Sequence, residues 1–143
     1  MAERVELPVV MPYFTTYHGH GGAGIAAKQN PQADNWYLNN IIQLCCGRRF
    51  LQGYTGFDLG LTKGSIWCIP FLEKYSYNTL FIEKWALDII KDMLRSGFYV
   101  EFVGFDDYYI KGKSWYQEKH FNHDGLITGF DEEQKTFTIV AYD

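Results

Sequence analysis

The sequence has no excess of positive charge: 13 lysines and arginines stand against 17 aspartates and glutamates, a formal net charge of -4. Nucleic-acid binding calls for a basic face, so no nucleic-acid partner is expected. No stretch approaches the ~18 apolar residues of a membrane span, so no membrane partner is expected either. Met1–Val10 is interrupted by Glu3 and Glu6 and lacks the apolar run of a secretion signal. The expected compartment is the cytoplasm. Cysteine is scarce, with Cys45 and Cys46 adjacent and Cys68 alone, so C-x-x-C metal or redox spacing is missing. An odd number of cysteines without a secretion signal points to reduced thiols, read here as small hydrophobes and not as nucleophiles.

What is present is the material of a core. A length of 143 residues fits one domain, able to bury roughly 68–70% of its unfolded surface. The apolar fraction of 47% excludes disorder as the dominant state. Tyr 11, Phe 11 and Trp 4 supply rings for core and pocket walls. No internal repeat, linker or low-complexity tract divides the chain.

Hydrophobic period changes along the sequence. Leu7-Pro8-Val9-Val10-Met11-Pro12 reads as extended, and Tyr17 to Gly24 as a glycine-rich loop lacking the lysine of a phosphate loop. Asp34 or Asn35 caps an expected helix from Trp36 to Cys46, stopped by Gly47, with Tyr37, Ile41, Leu44 and Cys45 on its buried stripe. A second helix is expected from Ile82 to Ser96, ended by Gly97, its apolar face formed by Ile82, Trp85, Ala86, Ile89 and Met93. After Gly97 the pattern alternates. Phe98–Phe105 reads as a strand continued at Tyr108–Ile110, Lys111–Phe121 as a polar loop, and His123–Phe130 and Phe137–Tyr142 as a hairpin. Helices followed by strands give an α+β fold with helices packed on a C-terminal antiparallel sheet.

Two constellations can carry chemistry. The four histidines fall as His18 with His20 and His120 with His123. Such pairs can surround zinc, but no cysteine or paired carboxylate supports them, and the expectation is no metal and no cofactor. The other constellation is the hairpin. His123 opens one strand and Asp143 closes the next, so the two are expected within hydrogen-bonding range. A carboxylate that accepts the ring N–H fixes the tautomer and prepares the imidazole as a general base.

The motif order is similar to the N-terminal domain family of butirosin biosynthesis protein H, papain-like proteins found beside bacterial peptide and antibiotic synthesis genes. The resemblance rests on the Tyr37 to Leu44 helix, Asp107-Tyr108-Tyr109, His123 with Gly129-Phe130-Asp131, and Ala141-Tyr142-Asp143, and spans about Leu7 to Asp143. It implies a papain-like fold, His123 as general base and Asp143 as its orienting acid. It also implies that residues 1–143 form one papain-like domain, the N-terminal part of a longer architecture. The implied activity moves an aminoacyl group from a carrier-protein thioester to an amine, with an acyl or peptidyl carrier protein and a small-molecule or peptide substrate as partners.

One residue does not carry over. The family's nucleophilic cysteine sits at the start of the first helix, where the helix dipole lowers its pKa. Here that region reads Ala33-Asp34-Asn35-Trp36. Cys45 and Cys46 fall at the opposite end of the expected helix, where the dipole works against a thiolate. Nor does any upstream glutamine stand out for an oxyanion hole. The resemblance implies two functions: direct acyl transfer with His123 as base, or a catalytically inactive papain-like module that binds a peptide or carrier protein.

Overall fold

The computed structural model describes residues 2–13, 18–41, 44–46, 52, 59–61 and 68–141. Where the sequence reading gave one domain, the chain divides into two compact units, Met1–Gly22 with Tyr75–Asp143, and Ala23–Lys74. The fold is α+β, with a four-stranded antiparallel sheet in the first unit and a two-stranded one in the second.

The first unit is organised by one long strand. We label the strands β1 (Arg4–Glu6), β4 (Val100–Asp106), β5 (Asn122–Asp131) and β6 (Thr136–Ala141). β6 pairs with β5 from Gly125 to Asp131, while β4 takes Asn122–Ile127 and β1 takes Gly129–Asp131. Because β6 fills one edge of β5, β4 and β1 must share the other, end to end. The expected sheet contained only residues after Gly97; Arg4–Glu6 is the addition. Gly129 makes it possible, since a Cβ there would stand 2.5 Å from the Val5 carbonyl oxygen.

Helix α4 (Ala86–Arg95) packs on this sheet, placing Ile90 and Leu94 against Ile127 and Phe130. The expected helical face is corrected here. Thr79–Ile82 forms a single turn, α3, and Glu83–Trp85 is a 3₁₀ turn, so α4 begins only at Ala86. A 3₁₀ turn has three residues per revolution, not 3.6, and shifts the phase of everything after it. A stripe counted from Ile82 is therefore misaligned, and Trp85 is 55% exposed. The C-terminus ends near the expected place: the N–H of Phe98 donates to Met93 O at 2.9 Å and that of Gly97 to Leu94 O at 3.0 Å. These two bonds define a Schellman closure.

The second unit departs further from the sequence reading. The glycine-rich stretch is not a loop: α1 (His18–Ala27) is a helix, running across the boundary of the two units. Each glycine disfavours helix by about 0.8–1 kcal/mol, but packing overrides propensity; Ile25 and Ala27 are buried. The next helix, α2, is Pro31–Asn40 and not Trp36–Cys46. Its cap is Asn30, whose side chain accepts from the N–H groups of Gln32 and Ala33 at 2.9 and 3.3 Å, with proline at the first helical position. Tyr37 and Ile41 are buried as expected. Leu44 and Cys45 lie instead on β2 (Leu44–Cys46), antiparallel to β3 (Leu59–Leu61).

The Gly129 contact yields a direct test. Gly129→Ala should destabilise the protein by about 1–3 kcal/mol, because overpacking against backbone has no flexible side chain to yield. Urea unfolding checks it; an unchanged midpoint would exclude the close approach of β1.

Candidate functional site

The chemistry-bearing residues gather where β4 ends and β5 begins. Phe105 stands opposite His123 and Asp106 opposite Asn122. A bulge between Val103 and Phe105 is turned by Gly104, whose φ of 92° suits glycine. Beyond it Asp107–Tyr109 forms a 3₁₀ turn, capped by Asp106 accepting from the Tyr108 N–H at 3.2 Å. The ladder is extended by the Asp107 N–H donating to Phe121 O at 2.9 Å.

Two consecutive aspartates then meet two histidines. His123 Nδ1 lies 2.7 Å from Asp107 Oδ2, with side-chain exposures of 14% and 2%. His120 Nδ1 lies 2.7 Å from Asp106 Oδ2 in a more open setting, its ring stacked on Tyr108 at 4.4 Å. Phe121 meets the His123 ring edge-on at 4.9 Å. A buried carboxylate calls for a strong donor, and the His123 N–H supplies one. With Nδ1–H given to Asp107, the neutral ring carries its lone pair on Nε2, the arrangement of an oriented base. The other oxygen, Asp107 Oδ1, is buried and has no hydrogen-bond partner among the described residues.

A small cleft opens beside this pair. Phe105, Ile110, Ile139 and Ala141 wall it, and Asp107, His123 and Asp124 form its polar end. Its volume of about 190 Å³ falls below the roughly 300–1,000 Å³ of whole-ligand pockets. It suits a group of a few atoms at the end of a larger substrate. Lys111 and Lys113 also reach its lining, but no serine, threonine or cysteine does so among the described residues.

The expected acid, Asp143, lies outside the described residues, and β6 ends at Ala141 opposite Gly125. The acid seen on His123 is Asp107, which the sequence reading left between the Phe98–Phe105 strand and its continuation at Tyr108–Ile110 and gave no role. No local signal in the sequence marks it, because the bulge at Gly104 decides where the residues after it are directed. His120 and His123 each bond their own aspartate, and no group of three or more potential metal ligands occurs among the described residues. His20 is half-buried, and burial holds its pKa below the usual imidazole range. The helix-dipole argument against Cys45 and Cys46 falls away, because they lie in β2; the expected burial of Cys45 falls outside the described side chains. Cys68 is exposed. Among the described residues no helix is long and apolar enough to cross a membrane. Compared with known proteins, the chain matches no family model, no curated protein and no solved structure.

The outer pair sets a pH dependence. The hydrogen bond from His120, aided by the N–H groups of Tyr108 and Phe121 and opposed by desolvation, holds the Asp106 carboxyl below the usual carboxylate range. The folded chain thus binds this proton less readily than the unfolded chain. The resulting stability is complete above the ordinary carboxylate pKa and is lost as pH falls through the depressed value. His120→Ala should raise the Asp106 pKa in a carboxyl NMR titration and shrink that acid-side loss. An unchanged titration would assign the depression to the backbone donors alone.

Proposed function

We propose that this chain is a papain-like acyl-transfer domain of bacterial peptide or antibiotic biosynthesis, moving an aminoacyl group from a carrier-protein thioester to an amine. The observation that carries the reading is the His123 Nδ1 to Asp107 Oδ2 contact of 2.7 Å, made by a buried acid at the end of a cleft. His123 acts as general base and Asp107 as its orienting acid, in the role that the family resemblance gave to Asp143.

The transfer is direct. The amine nitrogen attacks the thioester carbonyl, forming the C–N bond as the C–S bond breaks. Nε2 of His123 takes the proton from nitrogen and returns it to the departing sulfur. The absence of hydroxyl or thiol groups from the described cleft lining favours this route over an acyl-enzyme. A positioned base contributes about 10²–10⁴-fold, which suits an already activated ester. The same lack of a nucleophile among the described lining residues favours a second reading, an inactive module that binds a peptide or carrier protein.

Aminolysis of an aminoacyl N-acetylcysteamine thioester, followed by mass spectrometry, tests the proposal. His123→Ala should lower amide formation by at least about 10²-fold. Asp107→Asn should also lower it, because the amide no longer selects the Nδ1–H tautomer. Turnover unaffected by His123→Ala would remove the base from the mechanism. Carrier binding without any turnover by the unaltered protein would select the binding module.

A further inference from the structure

The segment between β4 and β5 differs in chemistry from the rest of the chain. From Tyr109 to Phe121, Lys111, Lys113 and Lys119 stand against Glu118 alone, in a protein of net charge -4. Aromatic side chains share the same stretch: Tyr109 is 72% exposed and Trp115 40%, and Tyr116 and Phe121 are exposed with them. Lys119 Nζ lies 5.1 Å from the centre of the Trp115 ring and 6.0 Å from that of Phe121. This places a cation over an open aromatic surface.

The segment is also held in shape. Ile110, Lys113 and Tyr116 each donate a backbone N–H three residues back, at 3.1, 3.2 and 3.1 Å, and the Gln117 N–H reaches across to Tyr108 O at 3.0 Å. Both of its ends are tied by the two histidine–aspartate pairs. A preformed surface loses little conformational freedom on binding. Exposed tryptophan and tyrosine match the aromatic composition of interface hot spots. Lys111 and Lys113 reach the lining of the His123 cleft, so the patch and the cleft are continuous.

We infer that the Tyr109–Phe121 segment is the docking surface for an acidic protein partner that delivers its acyl group to the adjacent cleft. This rests on the transfer reading above for the identity of the cargo. Charge complementarity selects the partner: the lysines attract an acidic face, and the rings anchor its apolar part. A nucleic-acid backbone suits the site less, because three lysines offer few phosphate contacts, and affinity for such a backbone comes from neutralising many.

The test is a titration of the isotope-labelled chain with a phosphopantetheine-bearing acyl carrier protein of acidic composition, followed through backbone amide NMR shifts. The expected result is perturbation centred on Lys111–Phe121, weakening with added salt. Lys119→Glu and Trp115→Ala, both at exposed positions, should each weaken binding about tenfold or more while leaving the amide spectrum folded. Perturbation centred elsewhere, no binding, or affinity unchanged in both variants would overturn the inference. So would tighter binding of a single-stranded RNA oligonucleotide to the same amides. The two proposals fail separately. Docking on the segment without thioester turnover would sink the transfer reading alone. Turnover of the small thioester, with carrier binding indifferent to both variants, would sink only the docking surface.

Discussion

The first unit depends on β5 being paired along both of its edges. A strand bounded in this way has its backbone N–H and C=O groups taken up by the ladder, and it serves as the frame for everything beside it. Residues 125–130 are all buried. Its middle receives α4 through Ile127, its far end receives β1 at Gly129, and its first residues carry Asn122 and His123. The site stands on the most heavily supported strand of the sheet. That is where a side chain is held with least freedom, as orienting an imidazole demands.

The two histidine–aspartate pairs share one geometry but not one environment. Both contacts measure 2.7 Å. The pair of His120 is open to water, where screening makes a charge pair weak in net stability. The pair of His123 is closed, where removing one partner strands a polar group without solvent. Consecutive positions in the sequence, Asp106 and Asp107, are thus divided between holding a segment closed and orienting a ring. Between them lies only the change from extended strand to 3₁₀ turn.

Local patterns made part of this legible. The β-rich runs His123–Phe130 and Phe137–Tyr142, set apart by the polar Asp131–Lys135 connection, located β5 and β6 to within a residue or so at each end. The Gly97 stop was readable from the Schellman preference for glycine. Other features had no local signal. β1 is three residues long and its partners lie more than 120 residues away in sequence, so no window contains the information. The glycines of α1 advertised a loop, and only packing makes them a helix. The cap at Asn30-Pro31 is legible in the sequence beside Asp34 and Asn35, and capping by Asn30 moves the helix toward the N-terminus and leaves Cys45 outside it. His123 was found because a histidine opening a strand is visible in sequence. Its partner Asp107 was not, because the bulge at Gly104 decides where the residues after it are directed.

The bulge and the clasped segment after it have an evolutionary consequence. Asp107 and Phe121 are joined by a backbone hydrogen bond, so the ends of the intervening stretch meet whatever lies between them. Loop-closure entropy rises only slowly with length. A segment closed at its base can therefore lengthen, shorten or change composition while the base stays in place. Descendants of such a chain are free to change this segment without rebuilding the His123–Asp107 pair at its base.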